Sequence, residues 1–146
     1  MKTIGKTFVM LFMAWLMQCC HSSSSPPAPA PPTAVQKATA LIDASAWKMQ
    51  SLTIDGIADT TFFKGLIITF TASSFTAVNG APVWPATETW TFTDANATAI
   101  KRSDNLIVNV DNLTSTAMQL SLDWTTTTTE GRKNSVAGKH VFIFAH

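Results

Sequence analysis

The chain has no tyrosine, three histidines and two cysteines among 146 residues, and only 13% of it is charged. The two cysteines are neighbours, Cys19 and Cys20. Everything after them lacks cysteine, so neither a disulfide framework nor a thiolate metal site is open to that part. It must hold by its apolar core. His21 lies in a polar stretch, and His140 and His146 share one candidate strand. At strand rise that last pair stands about 20 Å apart, too far to bind one metal. The basic residues are scattered, leaving no basic face for nucleic acid and no polybasic membrane patch. Long apolar runs are missing too. The run from Phe8 to Met17 ends at Gln18, whereas spanning a bilayer needs roughly 20 apolar residues.

What is present begins with an address. Lys2 and Lys6 precede the apolar run, the charge pattern of an export signal. Leu16-Met-Gln-Cys19 resembles the bacterial lipobox, whose cysteine is acylated and becomes the new N-terminus. Cys19 is the preferred site, and Cys20 is the rival. Cleavage before Cys19 leaves about 128 residues, enough for one domain. It leaves eight Lys and Arg against nine Asp and Glu, so membrane attachment would rest on lipid. The expected divisions are a signal peptide over 1–18, a tether over 19–32 and a β-domain over 33–146. The tether holds Ser22 to Ser25 and a Pro/Ala run. Serine gives flexibility, and the prolines favour an extended polyproline spacer.

The domain opens with one helical signal. Thr33-Ala-Val-Gln36 has the form of a capping box. Val35, Ala38, Leu41 and Ile42 recur at helical spacing, which predicts a short helix over about 34–43. The period then changes to two. Candidate strands cover Trp47–Ile54, Leu66–Thr71, Ser74–Val78, Glu88–Thr93, Ala97–Arg102, Leu106–Val110, Thr116–Trp124 and Gly138–Ala145. Asp55-Gly56 and Asn79-Gly80 are turn pairs. The alternation assigns Trp47, Met49, Leu66, Ile68, Phe70, Trp90, Phe92, Leu106, Val108, Val110, Met118, Leu120, Leu122, Trp124, Phe142 and Phe144 to the interior. Eight short strands with no room for crossover helices predict an all-β fold, an eight-stranded antiparallel meander closed as a barrel or flattened as a sandwich. So many rings predict a mostly filled interior.

Trp47-Lys-Met with Asp55-Gly56, Phe63-Lys-Gly-Leu-Ile-Ile-Thr-Phe70, Pro82-Val-Trp-Pro85, Thr89-Trp-Thr-Phe92, Gly131-Arg132 and Gly138-Lys-His-Val-Phe-Ile-Phe144 resemble the small lipocalin-like lipoproteins of Bacteroidetes-type bacteria. The resemblance covers about residues 33–146. It implies an eight-stranded lipocalin-like barrel on a lipid anchor, facing the periplasm or held at the outer membrane. No acidic run follows Cys19, so a surface-export signal is not evident. The partners it suggests are the membrane, through the anchor, and either a small apolar ligand or an envelope protein.

Candidate chemistry is sparse. Asp55, Asp94, Asp104 and Asp111 fall at turns, where aspartate usually bonds local backbone. No spacing pairs two of them as glycosidase carboxylates. No Gly-X-Ser-X-Gly occurs. The expectation is a chain with no catalytic residues, no metal and no cofactor. Trp84, between Val83 and Pro85 in a loop-like stretch, is the candidate binding mouth, either covering the barrel end or standing exposed. Arg132 either stacks on a tryptophan or bonds the ends of other strands, as a terminal arginine does in lipocalin-like barrels, or lies on the surface. Thr125 to Thr129 is expected as a solvated loop. Asp59-Thr60-Thr61 resembles the Bacteroidetes O-glycan acceptor, with Thr60 as the candidate, and Asn96 and Asn112 sit in N-glycan sequons.

Overall fold

The computed structural model describes residues 30–59, 61–125 and 137–146. Helix α1 (Ala34–Ile42) comes first. The Thr33 hydroxyl accepts the Gln36 N–H at 3.2 Å, and the Gln36 side chain accepts the Thr33 N–H at 2.8 Å. Two donors at the helix start are thereby satisfied. Val35, Ala38 and Leu41 form the half-covered side and Ile42 is buried, so the helical stripe of the sequence is the face that packs.

Nine strands follow: β1 (Trp47–Ile54), β2 (Ile57–Asp59), β3 (Ile67–Phe70), β4 (Ser74–Val78), β5 (Thr87–Phe92), β6 (Ala99–Arg102), β7 (Ile107–Leu113), β8 (Ala117–Trp124) and β9 (Gly138–Ala145). The sheet is antiparallel in the order β2-β1-β3-β4-β5-β6-β7-β8-β9, and β1 pairs with β9 from Lys48↔Ala145 to Ile54↔His140. That pairing closes eight strands into a barrel and removes its main edges. The sandwich alternative is set aside.

The ninth strand, β2, is the difference from the expected count. Asp55 and Gly56 have φ of 50° and 81°, the paired positive values that a two-residue hairpin turn requires. The chain turns back along the upper half of β1 for three residues only. It then leaves the sheet and rejoins β1 lower down, where Trp47 pairs with Ile68. Thus β2 and β3 share one side of β1, with the segment 61–66 between them. Two other bounds shift by two residues or more. Strand β6 begins at Ala99 because Asp94 holds the preceding residues in a turn, with Ala97 at φ 60°. Strand β7 runs on to Leu113 through an irregularity between Val110 and Asn112.

The strands give the barrel two ends. The α1 end holds Trp47, the connections 71–73, 93–98 and 114–116, and His146. The hairpin end holds Asp55-Gly56 and the segments 61–66, 79–86 and 103–106. Of the expected inward set, Met49, Phe92, Leu106, Val110 and Trp124 are half-buried against the core, and the rest are buried. The interior also takes Leu52, Phe63, Phe75, Val83, Trp84 and Ile100, which the alternation had not assigned.

Candidate functional site

One aromatic series runs through the barrel. Phe92 meets Trp90 at 5.0 Å, Trp90 meets Phe70 at 5.9 Å, and Phe70 meets Phe75 at 5.7 Å. Phe75 meets Trp84 at 5.5 Å and Trp84 meets Phe142 at 5.7 Å, both near edge-to-face at 76°. Phe142 then touches Phe63, His140 and Phe144. Offset and edge-to-face rings are the favoured arrangements. Side chains therefore occupy the volume in which an eight-stranded barrel would otherwise hold a small ligand.

Two inserts from the hairpin end supply part of that filling. Segment 61–66 places Phe63 over Phe142 at 5.8 Å. It is shaped by Asp59, whose Oδ1 accepts the N–H groups of Thr61 and Phe62. Those bonds, Phe62 first, hold the Asp59 carboxyl below its ordinary value. The second insert is the β4–β5 loop. The Trp84 backbone N–H donates to the Gly80 carbonyl at 2.7 Å, folding the loop inward. A Cβ on Gly80 would press on Trp84 Cβ and lie 2.8 Å from the Trp84 carbonyl oxygen, so only glycine permits this approach.

Trp84 is 0% exposed. Of the two placements the sequence left open, its burial fits covering the barrel end rather than standing exposed: the indole is core, inserted from a loop. Proline on each side and the turn at Asn79-Gly80 marked a loop, and loops are usually superficial. A barrel end must still be filled, and this loop fills it.

Arg102 holds the insert in place. It sits on β6 with its side chain buried, donating to the Val83 carbonyl at 2.6 Å and to the half-exposed Asp104 carboxylate. Its guanidinium carbon lies 5.7 Å from the Trp84 ring centroid and 5.9 Å from that of Phe75, a cation–π distance. Arg132, for which the sequence offered a stacking role, lies outside the described residues. Arg102 shares the inward parity of Ile100, the one signal that would have found it. Two donors in this cluster, Trp84 Nε1 and Arg102 Nε, have no partner among the described residues. An unsatisfied buried donor costs about 1–3 kcal/mol.

A serine and a histidine do meet at the α1 end. Ser45 Oγ contacts His146 Nδ1, and the His146 ring lies on Trp47 at 3.8 Å between centroids. A serine nucleophile needs its base oriented by a third group. Among the described residues no carboxylate bonds His146, and neither Ser45 nor His146 lines a groove described below. The pair fixes His146 over Trp47. His140 is buried on β9 among Phe63 and Phe142. Asp94 serves its own turn, accepting from Thr98 and Asn96. The Thr98 hydroxyl, before the backbone donors, holds its carboxyl below the ordinary value. Among the described residues no three His, Cys, Asp or Glu side chains gather as a metal site.

The concave surfaces lie outside. A groove of about 410 Å³ crosses β5 and β6 at Thr89, Thr91, Lys101 and Ser103. A second, about 400 Å³, lies between Asp104, Asn105, Asp123 and Trp124. A third, about 220 Å³, sits where β2 leaves β1, beside Asp59 and Lys64. Cys19, Thr60 and Thr126 to Thr129 lie outside the described residues. No family model, curated protein or solved structure matches the chain.

Proposed function

We propose that this chain is a lipid-anchored lipoprotein of the cell envelope whose barrel is a non-catalytic binding or interaction module. The observation that carries the reading is the interior filled with the protein's own rings, Trp84 among them. A partner then meets the outer grooves or the hairpin end, unless Trp84 leaves. The anchor rests on the signal pattern and the lipobox-like Leu16-Met-Gln-Cys19.

A second reading is a structural or inhibitory subunit of an envelope complex. Ile57, at 74% exposure on the β1–β2 hairpin, favours it, because an apolar side chain displayed there suits a protein partner. Fractionation with Cys19→Ala tests the anchor: release into the soluble fraction is expected, and unmodified Cys19 on membrane-bound protein would end the lipoprotein reading. Crosslinking in intact envelopes separates the two roles. One stoichiometric protein partner favours the subunit, and a co-purifying small molecule favours the binding module.

A further inference from the structure

We infer that the barrel contains a latent site for a small aromatic acid, occupied in this state by the protein's own Trp84. The inference rests on the binding-module reading and names its ligand class. Trp84 is fully buried, yet its indole N–H has no acceptor. Arg102 is 3% exposed, and its Nε–H has none either. The guanidinium stacks on the indole, so both unsatisfied donors belong to one cluster. The insert satisfies Arg102 only in part, through the Val83 carbonyl and Asp104.

A ligand shifts a conformational equilibrium only by binding one state better than the other. The closed state leaves two donors dissatisfied. If the β4–β5 loop swings out, the Trp84 N–H reaches water. A planar bicyclic ring can then take the place of the indole against Phe75 and Phe142, and its acid group can accept from Arg102. A neutral ring of the same shape gains the packing without the second contribution. The ligand class is therefore an aromatic monoacid of about indole size. Gly80 sets the balance, because a methyl group there opposes the closed loop and leaves Trp84, Arg102 and the ring contacts in the sequence.

The test uses naphthalene-2-carboxylate and its neutral carboxamide on the purified full chain, followed by calorimetry and by the indole N–H resonances in NMR. The carboxylate should bind about tenfold or more tighter than the carboxamide. Binding should shift the Trp84 resonance to a solvent-exposed value. Gly80→Ala should bind the carboxylate more tightly than the native chain, because the closed state no longer competes as strongly. Arg102→Met should bind both probes equally. Trp84→Phe, which keeps a ring in the core, is the control should Gly80→Ala fail to fold, and it should retain the preference for the acid. No binding to any of these proteins overturns the inference. So does equal affinity for acid and amide in the native chain, or saturation with the Trp84 resonance unmoved. A co-purifying small molecule of another class without probe binding would overturn this inference and leave the module reading standing. Probe binding by a chain found soluble and unacylated would do the reverse for the anchor.

Discussion

Two tryptophans, both fully buried, close the two ends of this barrel in different ways. At the α1 end, Trp47 is the first residue of β1, and its indole N–H donates to the Ile42 carbonyl at 2.9 Å. One bond satisfies the ring and ties down the end of the helix. At the hairpin end, Trp84 arrives on a loop, and its indole N–H finds no acceptor. It is held by ring contacts, by Gly80 and by Arg102. Burial alone does not distinguish the two rings, but polar satisfaction does. The first end is built as a permanent closure, and the second carries a cost that an alternative occupant could relieve.

Trp→Phe substitutions sharpen this contrast, since both remove similar volume. Trp47→Phe strands the buried Ile42 carbonyl and should cost about 1–3 kcal/mol more than Trp84→Phe, which deletes a donor that bonds nothing. Urea unfolding of the two variants checks this, and equal losses would break the distinction. The capping box serves the α1 end alone. Thr33→Ala should cost about 1 kcal/mol and leave the Trp84 resonance in place, read by thermal unfolding and NMR.

The smallest expected effect concerns acid. Asp94 at the α1 end and Asp59 at the hairpin end both have lowered carboxyl values, through Thr98 and through the Phe62 N–H respectively. A lowered folded-state value means their stabilisation is complete above the ordinary value of 3.8. It is lost as pH falls below that. Both residues are only half-covered, so the loss is slight. Asp94→Asn should flatten the part of the unfolding midpoint that falls below about pH 4. A profile identical to the native chain would remove Asp94 from the account.

The barrel was legible because its strands alternate cleanly. Leu66, Ile68 and Phe70, or Met118, Leu120 and Leu122, leave little choice of face, and a reversed register would expose all of them. Thr33 and Gln36 announced the helix start. The hairpin end was less legible for physical reasons. Strand β2 is three residues long, too short for a period to register. Arg102 and His140 have inward parity with Ile100 and Phe142, but a polar side chain on an apolar face is ordinarily read as an exception. Trp84 obeys no period at all. It is inward because the loop folds over Gly80, a close approach that sequence spacing does not encode.

Unfolding of Trp84→Ala beside Trp90→Ala by urea tests most directly whether the β4–β5 loop is part of the core. Both rings are buried in the same aromatic series, so both deletions should cost about 3–5 kcal/mol. A Trp90→Ala loss in that range beside a nearly neutral Trp84→Ala would contradict the account, because Trp84 would then rest on the barrel rather than fill it.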